Sequence, residues 1–359
     1  MKFISQFVGL NLVILVFTFS AIAQTDSTQT NKIDLQKAFE ETVTKYEAFE
    51  KTHGHYIQTP NVNMHYLTWG KSTGRPIVWV HGTTSNGYEA TPFADSLEKK
   101  GYYIIAIDYY GHGKTPIPRQ EVSVYNVADD IAFLLNKLHI KKTIIGGWSR
   151  GGTITSAIYA TYPQMVTGII LEDGGSVGWT RQNYKLEQPE MLKKLNAGSE
   201  KYGPIPTEKL YATLFDAFCN YQSDGKISLR AFHSINKSLG GEWTRNPGLD
   251  KWLGEDSWET MTKYMLRPTE APLFEYSTMM LEPKIVLRNL QVPVLIFDPV
   301  DSTDSNDFEE DNRLLKQQHP KWITHLVYKN TGHAVKFQHP ERFYKDLVNF
   351  LDKLKATLK

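Results

Sequence analysis

The chain has 359 residues, of which 41% are hydrophobic, 12% aromatic and 22% charged, a composition that excludes a disordered or fibrous protein. Its 40 basic side chains stand against 39 acidic ones, so no charge imbalance draws it to an anionic polymer, and no nucleic-acid partner is expected. The single cysteine, Cys219, excludes an intramolecular disulfide and any multi-thiolate metal site, leaving a large core to hold the fold.

Residues 1–23 carry Lys2, an apolar run from Phe7 to Phe19, and Ala21-Ile22-Ala23 before Gln24. This is the layout of an export signal with a small-residue cleavage site near Ala23. The run is shorter than the roughly 20 apolar residues of a spanning helix. The mature chain is therefore expected to be formally neutral, periplasmic or secreted, and to keep no stable membrane anchor. From 31 to 49 the chain is polar, with Leu35, Phe39, Val43 and Tyr46 at helical spacing, which predicts a surface helix docked on the domain. Residues 55–69 alternate around Thr59-Pro60-Asn61 as a β-hairpin does.

Short continuous apolar runs follow at 77–80, 103–107 and 143–145, each succeeded by a Gly-containing turn and then by helical spacing. Strands of a parallel sheet read this way because helices bury both faces. Runs at 168–171 and 292–297 continue the series and 324–328 closes it. The order predicts an α/β fold: a mostly parallel open sheet flanked by helices. Between 176 and 288 the strand signal disappears, and four of the eight tryptophans (Trp179, Trp243, Trp252, Trp258) fall there. A helical insertion is expected at 176–288, dividing one catalytic core into 24–175 and 289–359.

The strongest chemical signal is Gly147-Trp148-Ser149-Arg150-Gly151, between the strand ending near Ile145 and the helical run 153–162. It matches G-x-S-x-G in a strand–turn–helix context. A serine at the tip of so tight a turn takes an unfavourable backbone conformation, and Gly147 and Gly151 leave room for the neighbouring elements. The hydroxyl needs a base, and the base needs a group that fixes its tautomer. In such a sheet both follow downstream, acid then histidine, at strand ends. His333, in Asn330-Thr331-Gly332-His333-Ala334 after the last strand, fits the base. The acid is sought after the strand 294–297, where Asp298, Asp301, Asp304 and Asp307 crowd one loop. Asp301 is the first choice and Asp304 the alternative; Asp298 lies close to the strand end, and Asp307 belongs with the acidic start of the next helix. Backbone N–H groups of Arg150 and of Thr83, in His81-Gly82-Thr83-Thr84, are the expected oxyanion donors.

The ordered motifs His81-Gly82, Asp108-Tyr109-Tyr110-Gly111-His112-Gly113, Gly147-Trp148-Ser149-Arg150-Gly151 and Gly332-His333 resemble those of the α/β-hydrolase fold family over about 55–175 and 289–359. The resemblance implies that 108–113 shapes a turn beside the site, with His112 structural, and that 176–288 forms a cap over it. Relatives that open epoxides or displace halide resemble this chain but carry Asp at the elbow, and Ser149 argues against that chemistry.

An acyl substrate is therefore expected, a carboxylic ester first, with an amino-terminal peptide bond (as in prolyl aminopeptidase relatives) or a carbon–carbon bond beside a ketone as alternatives. A binding member of the fold without turnover is the alternative of another class. The aromatic-rich insertion points to an apolar or aromatic group on a small substrate. No cofactor and no metal are implied; oligomeric state is not readable. The segment from Asn220 resembles the start of a calcium loop, but its twelfth position is Ala231 where a bidentate acid is needed. His53-Gly54-His55 has ligand spacing without a third ligand nearby and reads as a surface turn.

Overall fold

Alternating side chains across Gly54–Gln58 (β1) and Asn63–Trp69 (β2) produce the expected hairpin, with Gly54 opposite Leu67 and Gln58 opposite Asn63. A computed structural model gives these elements and describes residues 35–181, 187–205, 207–222, 227–301 and 308–357. The expected export signal at 1–23 lies outside them. β2 pairs antiparallel with β4 (Tyr102–Ile107), and every further pairing in the main sheet is parallel. The remaining strands are β3 (Arg75–Val80), β5 (Thr143–Trp148), β6 (Val166–Glu172), β9 (Val294–Val300) and β10 (Ile323–Lys329), in the spatial order β1-β2-β4-β3-β5-β6-β9-β10. Every residue of β4 and β5 is buried, as expected for strands covered on both faces.

The chain opens with α1 (Leu35–His53); α2 (Thr91–Glu98), α3 (Val124–Lys137) and α4 (Arg150–Thr161) follow among the strands. Between β6 and β9 lie α5 (Gln188–Tyr202), α6 (Leu214–Tyr221), α7 (Leu229–His233), α8 (Leu249–Leu253), α9 (Trp258–Leu266), α10 (Leu273–Met280) and α11 (Pro283–Val286). After β9 come α12 (Glu309–Gln318), α13 (Val335–Gln338) and α14 (Pro340–Thr357). One core layer joins one face of the sheet to α3 and α4; the other joins the opposite face to α2 and α14.

The segment 176–288 is not purely helical. β7 (Ile235–Lys237) and β8 (Trp243–Arg245) form an antiparallel pair inside it. Three residues per strand are too few for an alternating pattern to register in the sequence. The predicted surface helix, α1, packs Phe39, Val43 and Tyr46 against Phe218, Phe232 and Ile235 of this segment rather than lying on the sheet core alone.

A buried polar cluster ties α1, the sheet and the inserted segment together. His65 Nδ1 lies 2.7 Å from Asp108 Oδ2 and its Nε2 3.0 Å from Glu50 Oε2. Because both nitrogens face carboxylates, both must carry hydrogen. Burial pulls this imidazole toward neutrality, but Asp108 and Glu50 outweigh it and raise its pKa to about 9. His233 donates from Nε2 to the same Asp108 oxygen at 2.6 Å, and its Nδ1 lies 2.8 Å from the Tyr46 hydroxyl.

Candidate active site

Ser149 sits where β5 turns into α4, with φ 56° and ψ −124°. That left-handed backbone is strained for a residue with a side chain, and its neighbours hold it there. A Cβ at Gly151 would lie 2.1 Å from the Val80 carbonyl oxygen, and one at Gly147 would lie 2.3 Å from the Gly151 carbonyl oxygen. The two glycines therefore do what the motif requires: they let strand, turn and helix approach to backbone contact. The Ser149 N–H is fixed on the Glu172 carbonyl at 2.9 Å.

His333 stands in the loop between β10 and α13. Its carbonyl accepts the Trp148 indole N–H at 2.7 Å, and the two rings lie 4.9 Å apart, so the imidazole is anchored to the residue preceding Ser149. Its Nδ1 is hydrogen-bonded to the carboxylate of Asp173. This corrects the expectation that Asp301 supplies that carboxylate. Asp173 directly follows β6, as Asp301 directly follows β9, and β6 lies between β9 and the elbow strand β5. The acid thus comes from one strand nearer the serine. Asp173 adopts φ 43° and donates its N–H to the Phe297 carbonyl at 3.0 Å. The next residue, Gly174, is so close to the elbow that a Cβ there would lie 2.2 Å from the Ser149 carbonyl oxygen.

The other acids of the β9 loop stand as follows. Asp301 is half-buried; the alternative, Asp304, lies outside the described residues, as does Asp307. Asp298 is inside β9, with Oδ2 2.5 Å from His325 Nε2 on β10. The sequence did contain a signal for Asp173: an acid at the end of an apolar strand, followed by Gly174-Gly175.

Thr83 follows β3, and the loop around it packs on the elbow, since a Cβ at Gly82 would meet the Trp148 ring at 2.6 Å. The backbone N–H of Arg150 opens α4. The Arg150 side chain has a role not read from the sequence: it is buried and reaches into the inserted segment, 2.6 Å from Glu255 and 2.7 Å from Glu275. Burial pushes the Glu275 carboxyl up to about 7, with Arg150 acting in the opposite direction. Beneath the site, fully buried Lys336 sits 3.0 Å from Glu172 and 3.3 Å from Glu89, with Nζ 3.7 Å from the centre of the Trp148 ring.

A cleft opens beside the elbow, with an empty volume of about 390 Å³ that includes open solvent. Thr83, Ser85 and Trp148 line it from the core, and Arg230, Ser234 and Arg245 from the inserted segment. His112 is buried, with Nδ1 2.8 Å from the Tyr110 carbonyl oxygen. His53 and His55 both bond to Thr68 of β2. Positions 223–226 of the calcium-loop resemblance lie outside the described residues. Glu50, His65 and His233 bring ligand-type atoms within 4.8 Å of one another, but the hydrogen bonds of the cluster described above already account for that arrangement. No described helix is long and apolar enough to cross a membrane.

A sequence model of the family described as alpha/beta hydrolase fold matches residues 75–203. An AB hydrolase superfamily protein of Bacillus subtilis (strain 168), YisY, is 31% identical over 102 residues, 28% of this chain and 37% of that protein. An sn-1-specific diacylglycerol lipase of Danio rerio is 30% identical over 115 residues, 31% of this chain and 36% of that protein. The matches thus span little more than a third of either relative's own length. Among solved structures, one from a study of carboxylesterases of Nitrososphaera gargenis superposes with a TM-score of 0.56 at 19% identity, covering 84% of this chain and all of that one.

Proposed function

We propose that this protein, whose fold is that of the α/β hydrolases, is a serine hydrolase cleaving acyl substrates, carboxylic esters first among them. Esterases and other hydrolases among its relatives support hydrolysis as the activity. The observation that carries the reading is the His333–Asp173 hydrogen bond, anchored through Trp148 to a strained Ser149. In it, Ser149 Oγ attacks the acyl carbon while His333 takes its proton. Asp173 holds the imidazole in the tautomer with hydrogen on Nδ1 and stabilises the imidazolium that forms. The N–H groups of Thr83 and Arg150 receive the developing oxyanion, where one donor is worth on the order of 3 kcal/mol. His333 then protonates the leaving group, and water releases the acyl group by the same steps in reverse.

The segment 176–288 acts as the cap over this site, and residues 1–23 export the chain and are removed. A fluorophosphonate probe tests the chemistry: wild type is labelled and Ser149→Ala is not. A folded wild type that neither reacts with the probe nor hydrolyses any para-nitrophenyl ester would defeat the reading. Amino-terminal sequencing of the exported protein tests cleavage after Ala23.

A further inference from the structure

The cavity beside the elbow holds two cations that form no ion pair among the described residues. Arg230, in α7, and Arg245, closing β8, both line it and are half-buried. Among the described residues, neither guanidinium donates a hydrogen bond or forms an ion pair, and Arg245 Nε is fully buried without a partner. Aromatic rings hold them instead: Arg230 lies 4.5 Å from the centre of the Phe337 ring and Arg245 5.4 Å from that of Tyr221. Such contacts position a guanidinium and leave its charge standing. The one carboxylate acting on Arg230 is Glu89, which is already taken by Lys336, the Trp79 indole and the Gly82 amide.

The rest of the lining is mixed, with Trp148 and Ala231 as its apolar part. Ser85 Oγ is buried without a partner, and Thr83 and Ser234 add hydroxyls. None of the four tryptophans of the inserted segment lines the cavity; Trp252 packs on Phe274 and the Trp258 indole donates to the Gly203 carbonyl. Unpaired charge in a desolvated position is costly, and planar guanidinium forks match the oxygen pairs of carboxylates and phosphates.

We infer that this cavity binds an oxyanionic group, a carboxylate or a phosphate, carried by the substrate, with Arg230 and Arg245 selecting for it. The inference rests on the serine-hydrolase reading and adds a charged group to the substrate expected from composition. It also gives the inserted segment a task, since both arginines come from it while the elbow and the Thr83 loop come from the core.

The test compares matched pairs. para-Nitrophenyl hydrogen adipate against para-nitrophenyl methyl adipate places the charge on the acyl side; para-acetoxybenzoate against its methyl ester places it on the alcohol side; para-acetoxyphenyl phosphate replaces carboxylate by phosphate. At least one charged substrate is expected to exceed its neutral partner about tenfold or more in kcat/KM, as suits a charge-assisted contact. That ratio is expected to fall severalfold in Arg230→Met and Arg245→Met and to survive in part in Arg245→Lys. No charge preference in wild type, or a preference undiminished in both Met variants, would overturn the inference. Should the variants fail to fold, calorimetric titration of wild type with adipate and phenyl phosphate serves: saturable binding that weakens with salt is expected, and absence of binding counts against the site. Labelling and turnover without charge preference would defeat only the anion site, whereas anion binding without labelling or turnover would defeat only the hydrolase reading.

Discussion

Replacing Asp173 by Asn removes the charge beside His333 and leaves the shape of the site. The carboxylate is buried, with Oδ2 on His333 Nδ1, so no solvent molecule substitutes for it readily. An amide can present its NH2 to Nδ1, which moves the ring hydrogen to Nε2 and blocks proton abstraction from Ser149. In triads of this geometry such a change lowers kcat by about 10⁴-fold, equivalent to about 5 kcal/mol of transition-state stabilisation. The assay is kcat on a para-nitrophenyl ester for Asp173→Asn and Asp301→Asn, with circular dichroism confirming that both fold. Asp173→Asn is expected to lose three to four orders of magnitude, by roughly that figure, and Asp301→Asn less than about tenfold. If instead Asp301→Asn loses the activity and Asp173→Asn keeps it, the hydrogen bond to His333 has been assigned the wrong meaning.

Other consequences concern stability. Gly151→Ala would put a methyl group 2.1 Å from the Val80 carbonyl oxygen and 2.5 Å from that of His81; backbone cannot yield as a side chain does, so urea unfolding is expected to show a loss of about 3 kcal/mol or more. Lys336→Met leaves Glu89 and Glu172 buried without their shared cation, and the same measurement is expected to show a loss of about 3–5 kcal/mol; a neutral result would mean that water or protonation relieves the pair. His65 has a pKa raised in the folded protein, so its contribution is fully present below about 6.5, the unfolded value, and is lost as pH rises through about 9. Melting temperature is therefore expected to fall between pH 7 and 10, and the fall should be smaller in His65→Gln. An equal fall in both would refute a charged His65.

The legibility of this protein follows the range of its interactions. The hairpin at 55–69, the buried strands and the Gly147–Gly151 turn are written in neighbouring residues, because side-chain period and glycine placement act locally. His333 could be reached because a strand, a loop and a closing helix surround it in sequence. The β7–β8 pair could not, being too short for its period to register. The choice among acids required knowing that β6 lies between β5 and β9, which is a property of strand order.

By itself, then, the sequence determined the sheet type and the pair Ser149 and His333 as candidates for chemistry. Tertiary structure alone decided that Asp173 meets His333, that Arg150 reaches Glu255 and Glu275, and that Arg230 and Arg245 stand together at a cavity without an ion-paired carboxylate among the described residues. The physical reason is that these contacts join residues separated by a hundred positions or more in sequence, or charges whose significance lies in what does not surround them. Neither a distant partner nor a missing one leaves a local pattern in the chain.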